Sequence, residues 1–238
     1  MTRTSTILLA LLAGFVGALA ATTISPARAS ETTPVLAEVR AQRFVVVDAA
    51  GNERAILGAS PANSGLVLLD AKGTEHAALI VIDGVPSLDL FYAGGKQRAV
   101  LAAEAIGATL RLFGASGRQG MVLVALADSS ALSLYDGAGV RRAELSVAAN
   151  TPVLNLFGTA GTHRAELSVL ANTPALNLFD AAGVRRAELS VSTLGSNLAL
   201  LDTTGKPRVL LVHDPTAYNS TLFLYNAAGA GCRAVHCP

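Results

Sequence analysis

Tryptophan is absent from this 238-residue chain, and phenylalanine and tyrosine raise the aromatic content only to 5%. A core of large rings is therefore excluded, and any interior has to be built from Leu, Val and Ala. Charge is scarce as well, at 15% of residues and a formal balance of +1. Arg3 and Arg28 lie in the first 29 residues, which hold no acid, so the remainder carries 18 − 2 = 16 basic against 17 acidic residues, or −1. That balance leaves no footprint for nucleic acid or an anionic membrane surface. GxSxG, HExxH, P-loop and Cys-x-x-Cys motifs are missing, and His76, His163, His213 and His236 fall at unrelated positions of the pattern described below. No catalytic residue, metal or cofactor is expected from such a sequence. What is abundant is aliphatic: 51% of the residues are hydrophobic, ample for a packed chain and contrary to disorder.

The one long apolar run is at the start. One positive charge in Met1 to Ser5 precedes the apolar stretch Thr6 to Ala21, and Ala27-Arg28-Ala29 places small residues where a signal peptidase reads them. Residues 1–29 read as a signal peptide cleaved before Ser30, for a secreted, periplasmic or cell-surface protein. A retained anchor is the alternative, but 16 apolar residues fall short of the about 20 that span a bilayer, and after cleavage no membrane span is expected. In an oxidising compartment Cys232 and Cys237 read as a local disulfide, since adding His236 still leaves a tetrahedral metal one ligand short.

The rest is a repeat. Gly51, Gly73, Gly95, Gly117, Gly139, Gly161, Gly183 and Gly205 follow one another at 22 residues, and Gly229 follows after 24. Seven before each glycine stands Phe44 or a Leu, five before it Val46 or a Leu, and six after it a Leu or Val235. Ala commonly stands four after. Spacing of two on both sides of a turn is the period of a strand. Asp48, Asp70, Asp136, Asp180 and Asp202, three before their glycines, can bond the following amides while glycine supplies positive φ. A second corner is marked by Asn150-Thr151-Pro152 and Asn172-Thr173-Pro174, with Pro61, Asp83-Gly84-Val85-Pro86 and Asp214-Pro215 at nearby positions, and the prolines are expected at the break itself.

The expected fold is all-β, nine 22-residue strand-turn-strand units, divided into a linker or cap over 30–43, a β-repeat domain over 44–228 and a last half-repeat with a disulfide-capped tail over 229–238. Invariant spacing favours a β-solenoid, with equivalent residues stacked in parallel and the leucines inside. The alternative is an antiparallel hairpin meander, open or assembled as a trimeric β-prism.

Three further columns recur. Arg54, Arg98, Arg142, Arg164, Arg186 and Arg208 stand three after their glycines, and Glu144, Glu166 and Glu188 two residues later. Alternating with Ala and Leu, they are expected on a solvated face. Four before the glycines come Phe91, Phe113, Tyr135, Phe157, Phe179 and Tyr225, of opposite parity to the leucines. This column is the candidate binding site: packed inward, an oligomer seam, or a stacking platform for a glycan.

The segment Phe44-Val45-Val46-Val47-Asp48-Ala49-Ala50-Gly51-Asn52-Glu53-Arg54-Ala55-Ile56-Leu57-Gly58, echoed in Leu176 to Val191, resembles the xLxLxDxxGxxRAxLxV-type repeats of uncharacterised bacterial secreted and surface proteins. The likeness covers about residues 39–235 and implies a bacterial origin and a β-repeat fold, with no activity to carry over. A looser likeness, resting on strand-turn-strand rhythm, is to the trimeric β-prisms of phage-tail and secretion-needle tips. The expected function is a noncatalytic secreted or envelope scaffold, adhesive or self-associating, with a homo-oligomeric or extracellular partner. A carbohydrate-binding module using the aromatic column is the alternative, and a β-helix hydrolase or lyase comes after it.

Overall fold

The computed structural model describes residues 38–216 and 219–237, the last six by backbone alone. The expected signal peptide and most of the 30–43 segment lie outside the described residues. The chain divides into Met1–Arg40 and a repeat body, Ala41–Pro238. In the first unit the Arg40 guanidinium bonds the Glu38 carboxylate at 2.6 Å.

The repeat body holds eighteen strands and no helix among the described residues. It opens with β1 (Arg43–Val47) and β2 (Glu53–Ala59) and closes with β16 (Pro207–Asp214), β17 (Asn219–Tyr225) and β18 (Gly231–Cys237). In its middle lie β9 (Ser129–Tyr135), β10 (Arg141–Ala148), β11 (Thr151–Phe157), β12 (His163–Leu170), β13 (Thr173–Phe179), β14 (Arg185–Ser192) and β15 (Gly195–Leu201). Every strand pairs antiparallel with its chain neighbours, making one open sheet with β1 and β18 as edges. No strand contacts any but its chain neighbours.

The all-β repeat is therefore present, and its pairing is that of the meander, not the parallel coils of the favoured solenoid. Residue arithmetic gives the reason. One unit consists of β11 with 7 residues, the turn 158–162 with 5, β12 with 8 and the corner 171–172 with 2, so 7 + 5 + 8 + 2 = 22. Both connections reverse the chain at once, and none approaches the dozen or so residues that a parallel crossover needs. Constant spacing reflects register: one inserted residue would turn a whole strand over.

Both turns are built as local chemistry dictates. In the glycine turn of β9–β10, Asp136 Oδ1 accepts the amides of Ala138 and Val140, both at 2.9 Å, and the Gly139 amide donates to the Asp136 carbonyl at 2.9 Å. Asp48, Asp70, Asp180 and Asp202 repeat the arrangement. All nine repeat glycines have φ between 71° and 86°, a region costly to other residues. The second corner is two residues long, with φ of 47° and 64° at Ala149 and Asn150 and 48° and 62° at Ala171 and Asn172. Positive φ at both positions matches the twist of the flanking strands.

Pro61 and Pro215 do lie at this break, outside the strands, whereas two others stand inside strands, Pro152 opposite Val147 and Pro174 opposite Val169. On the other side of β11 the ladder starts only at Val153↔Ser168, and on that of β13 at Ala175↔Ser190. Each ring thus stands one residue beyond a ladder that would have required its missing N–H.

One face of the sheet carries a single cross-strand row. It begins with Phe44, runs through Leu57, Leu66, Leu79 and Leu88, continues with one leucine per strand to Leu211 and Leu222, and ends at Val235. Beside it Leu alternates with a smaller residue, as in Ala143–Leu156–Ala165–Leu178–Ala187–Leu200. Most of these leucines, expected inside, are exposed, among them Leu57 at 51%, Leu101 at 50% and Leu167 at 50%, while Leu110, Leu132 and Leu222 are half-buried. A single sheet has no second layer to cover them. The opposite face is the better covered one, holding the buried Ala78, Val100, Ala102, Ala199 and Leu201 with Asp89, Ser133 and Asn155.

Gly195, the first residue of β15, marks the tightest approach in the ladder. Its φ is 124°, and a Cβ there would sit 1.8 Å from the His213 carbonyl oxygen. Gly195→Ala is expected to destabilise the sheet by about 3 kcal/mol, strain and overpacking together. Gly183→Ala, at positive φ but in open space, is expected to cost only about 1 kcal/mol. Urea midpoints compare the two, and equal losses would contradict this geometry.

Candidate functional site

Strand parity puts the aromatic column on the face opposite the leucine row. Phe91, Phe113, Tyr135, Phe157, Phe179 and Tyr225 are all half-buried there. They stand on every second strand, each one residue before a glycine turn. The structure adds a ring that sequence spacing did not single out. His163, on β12 between β11 and β13, makes edge contacts with Phe157 at 4.8 Å and with Phe179 at 5.9 Å between centroids. The Arg141 guanidinium lies 4.6 Å over the Phe157 ring, and Arg98 lies 5.5 Å over Tyr92. Phe223 stacks on Tyr225 at 6.4 Å. The column is thus built into a side-chain layer along the turns, with ring faces partly taken by cations from the chain itself.

Three of the arginines three after the glycines, expected to be solvated, act as clasps between turns. Arg142 binds Asp136 of its own turn, Nε to Oδ2 at 2.8 Å, and donates through Nη1 to the Gly158 carbonyl of the next glycine turn. Arg208 joins Asp202 to the Asn226 carbonyl in the same way, and Arg98 reaches the Gly114 carbonyl. Looser pairs are Arg54–Asp48 at 3.8 Å and Arg186–Asp180 at 4.0 Å, while His76 meets Asp70 at 3.3 Å. Because the meander puts all nine glycine turns along one side of the sheet, such a side chain can bridge each turn to the next. The sequence does hold the signal: each of the five turn aspartates has Arg or His six residues on.

Two of the glutamates pair with cations outside the arginine column. Glu188 pairs with Arg185 at 2.6 Å and Glu144 with Arg141, so the basic residue is two after the glycine, not three. Glu166, which has His163 at that place, meets Ser168 and Asn177 at 3.3 Å. Ser133, Glu144, Asn155, Glu166, Asn177 and Glu188 form one cross-strand polar row. This row is half-buried to buried instead of fully solvated, because neighbouring side chains lean over it.

Among the described residues no three His, Cys, Asp or Glu side chains gather to hold a metal ion. No helix among them is long and apolar enough to cross a membrane. Open apolar grooves lie on the surface, one of them lined by Leu123, Leu132 and Leu145 of the leucine row, and a more polar one is lined by Asp128, Ser129, Ser130 and Asn150. Cys232 and Cys237 lie on β18, and their side chains are outside those described. No protein-family model matches the chain, and no curated protein matches it.

Asp48, Asp70, Asp136 and Asp202 set an acid limit. The Val140 amide followed by Arg142 holds Asp136 below the usual carboxylate value, the Thr74 amide does so for Asp70, and the Asn52 side chain for Asp48. The Thr204 hydroxyl and Lys206 amide hold Asp202 lowest. A carboxylate depressed on folding adds stability above its unfolded value of about 3.9, and this is lost as pH falls through the folded values. Melting temperature is therefore expected to be level above about pH 5 and to drop below about pH 4. Asp136→Asn with Asp202→Asn should flatten that drop; an unchanged drop would contradict the turn clasps as its source.

Proposed function

We infer that this chain is a noncatalytic exported scaffold that works by association through its extended surfaces. The observation that carries the reading is the leucine row, uninterrupted across the sheet and exposed at most of its positions. The recurring residues support it, since each has a structural employment: Asp and Gly in the turns, Arg in the clasps, Glu in the polar row. No loop is inserted among the described units to build a cleft. Export to the envelope or the extracellular space, and a bacterial source, rest on residues 1–29 and on the repeat resemblance.

A platform for stacking a sugar needs free ring faces, and within the aromatic column Phe157 is the less suited, one face being taken by Arg141.

Fractionating the producing cells tests export: the chain is expected in the envelope or outside the cell, beginning at Ser30 by mass spectrometry. Full-length chain confined to the cytosol would overturn it. In-frame deletion of residues 145–166 joins Glu144 to Leu167 and removes one whole unit. A scaffold of equivalent units is expected to keep its fold and destination, with melting lowered modestly; an unfolded deletion protein would count against equivalence.

A further inference from the structure

We propose that the leucine face is buried against the same face of other copies of this chain, so that the missing second layer of the fold is another molecule. This rests on the scaffold reading and names its partner. Each side chain on one face of a sheet covers about 32 Å², from a strand spacing of about 4.8 Å and a same-face repeat of about 6.7 Å. The leucine row and the alternating row beside it, over eighteen strands, therefore present about 1,100 Å². A stable interface takes about 800 Å² from each partner, and the largest apolar patch of an ordinary monomer is about 300–600 Å².

A second copy is the occupant that fits. Neither row carries a charged side chain at any strand from β2 to β17, so like faces meet without repulsion. Leu alternating with Ala, as in Leu156–Ala165–Leu178–Ala187, makes ridges and gaps that recur with the unit. A surface bearing the same 22-residue repeat keeps step with that rhythm along the whole sheet. The ionic side chains lie elsewhere, Glu144 with Arg141 and Glu188 with Arg185 on the other face. Two such sheets stack about 10 Å apart with leucines interdigitated, and the contact is self-complementary. Lipid is the rival occupant, but strands of mostly 7–8 residues fall short of the about nine to eleven that cross a bilayer.

The test is the mass of the purified full chain by light scattering, alone and with phosphatidylcholine vesicles. Two or three times the chain mass is expected, with no flotation on vesicles. Leu145→Lys, Leu167→Lys and Leu189→Lys together should return the protein to single-chain mass, whereas Ala138→Lys, Ala160→Lys and Ala182→Lys in the exposed turns should not. Far-ultraviolet circular dichroism checks that the sheet persists. Should the triple variant unfold, Leu167→Lys alone serves: it should lower the mass found at a given concentration, and an unchanged mass overturns the proposal. Monomer at all concentrations, an unchanged mass in the leucine variants, or monomer that binds vesicles would each overturn it as well. A chain exported and trimmed at Ser30 yet monomeric defeats self-association while leaving the scaffold reading in place.

Discussion

The rest of this structure depends on one leucine per strand meeting its counterpart across an antiparallel ladder. Successive members of the row are separated in the chain by 13 residues across a glycine turn and by 9 across a two-residue corner, as in Leu154↔Leu167 and Leu145↔Leu154. The sum is the repeat length. The one departure obeys the same rule: Leu211 and Leu222 are 11 apart because the corner between β16 and β17 is two residues longer, and they still face each other. The extra pair is absorbed where no ladder bond is lost, so register and not chain length is what the sequence conserves from unit to unit.

Because each strand touches only its chain neighbours, cohesion is nearly one-dimensional, with each unit held by the next. Backbone pairing alone makes a poor stack of this kind, since an open sheet covers little apolar surface. Two additions strengthen it along opposite borders. On the glycine-turn side, Asp, Arg and the next carbonyl bind adjacent turns through hydrogen bonds, and on the corner side left-handed pairs such as Ala171–Asn172 fix the reversal. Between these borders the two faces diverge, one mixing polar, aromatic and aliphatic side chains that partly cover one another, the other aliphatic and largely exposed.

Much of this was legible beforehand. Glycine spacing, aspartate at the turn and apolar residues at intervals of two identify strands, turns and unit number. The pattern also hinted at hairpins, since Leu at −7 and −5 and Ala and Leu at +4 and +6 nearly mirror each other about the glycine. Which face would be covered was not legible: parity groups Leu154 with Leu156 and Asn155 with Phe157, but says nothing about what lies over either group. Hydrophobicity argued that the leucines are inside, and in a single layer there is no inside for them. Pro152 and Pro174 misled because the position tolerating a missing N–H is set by where the neighbouring ladder ends. In the sequence Arg142 and its equivalents look like solvated charges, because their acceptors, the carbonyls of the next turn, are identical backbone atoms with no residue signature.

Cross-strand disulfides test the register most directly. Antiparallel pairing predicts that Leu145→Cys with Leu154→Cys closes an intramolecular bridge readily under mild oxidation, because those positions face each other across β10 and β11. Leu145→Cys with Leu167→Cys, equivalent residues of successive units, should bridge poorly within one chain, being two strands apart. Preferential intramolecular closure of the second pair would mean that equivalent residues stack directly, and would contradict the meander.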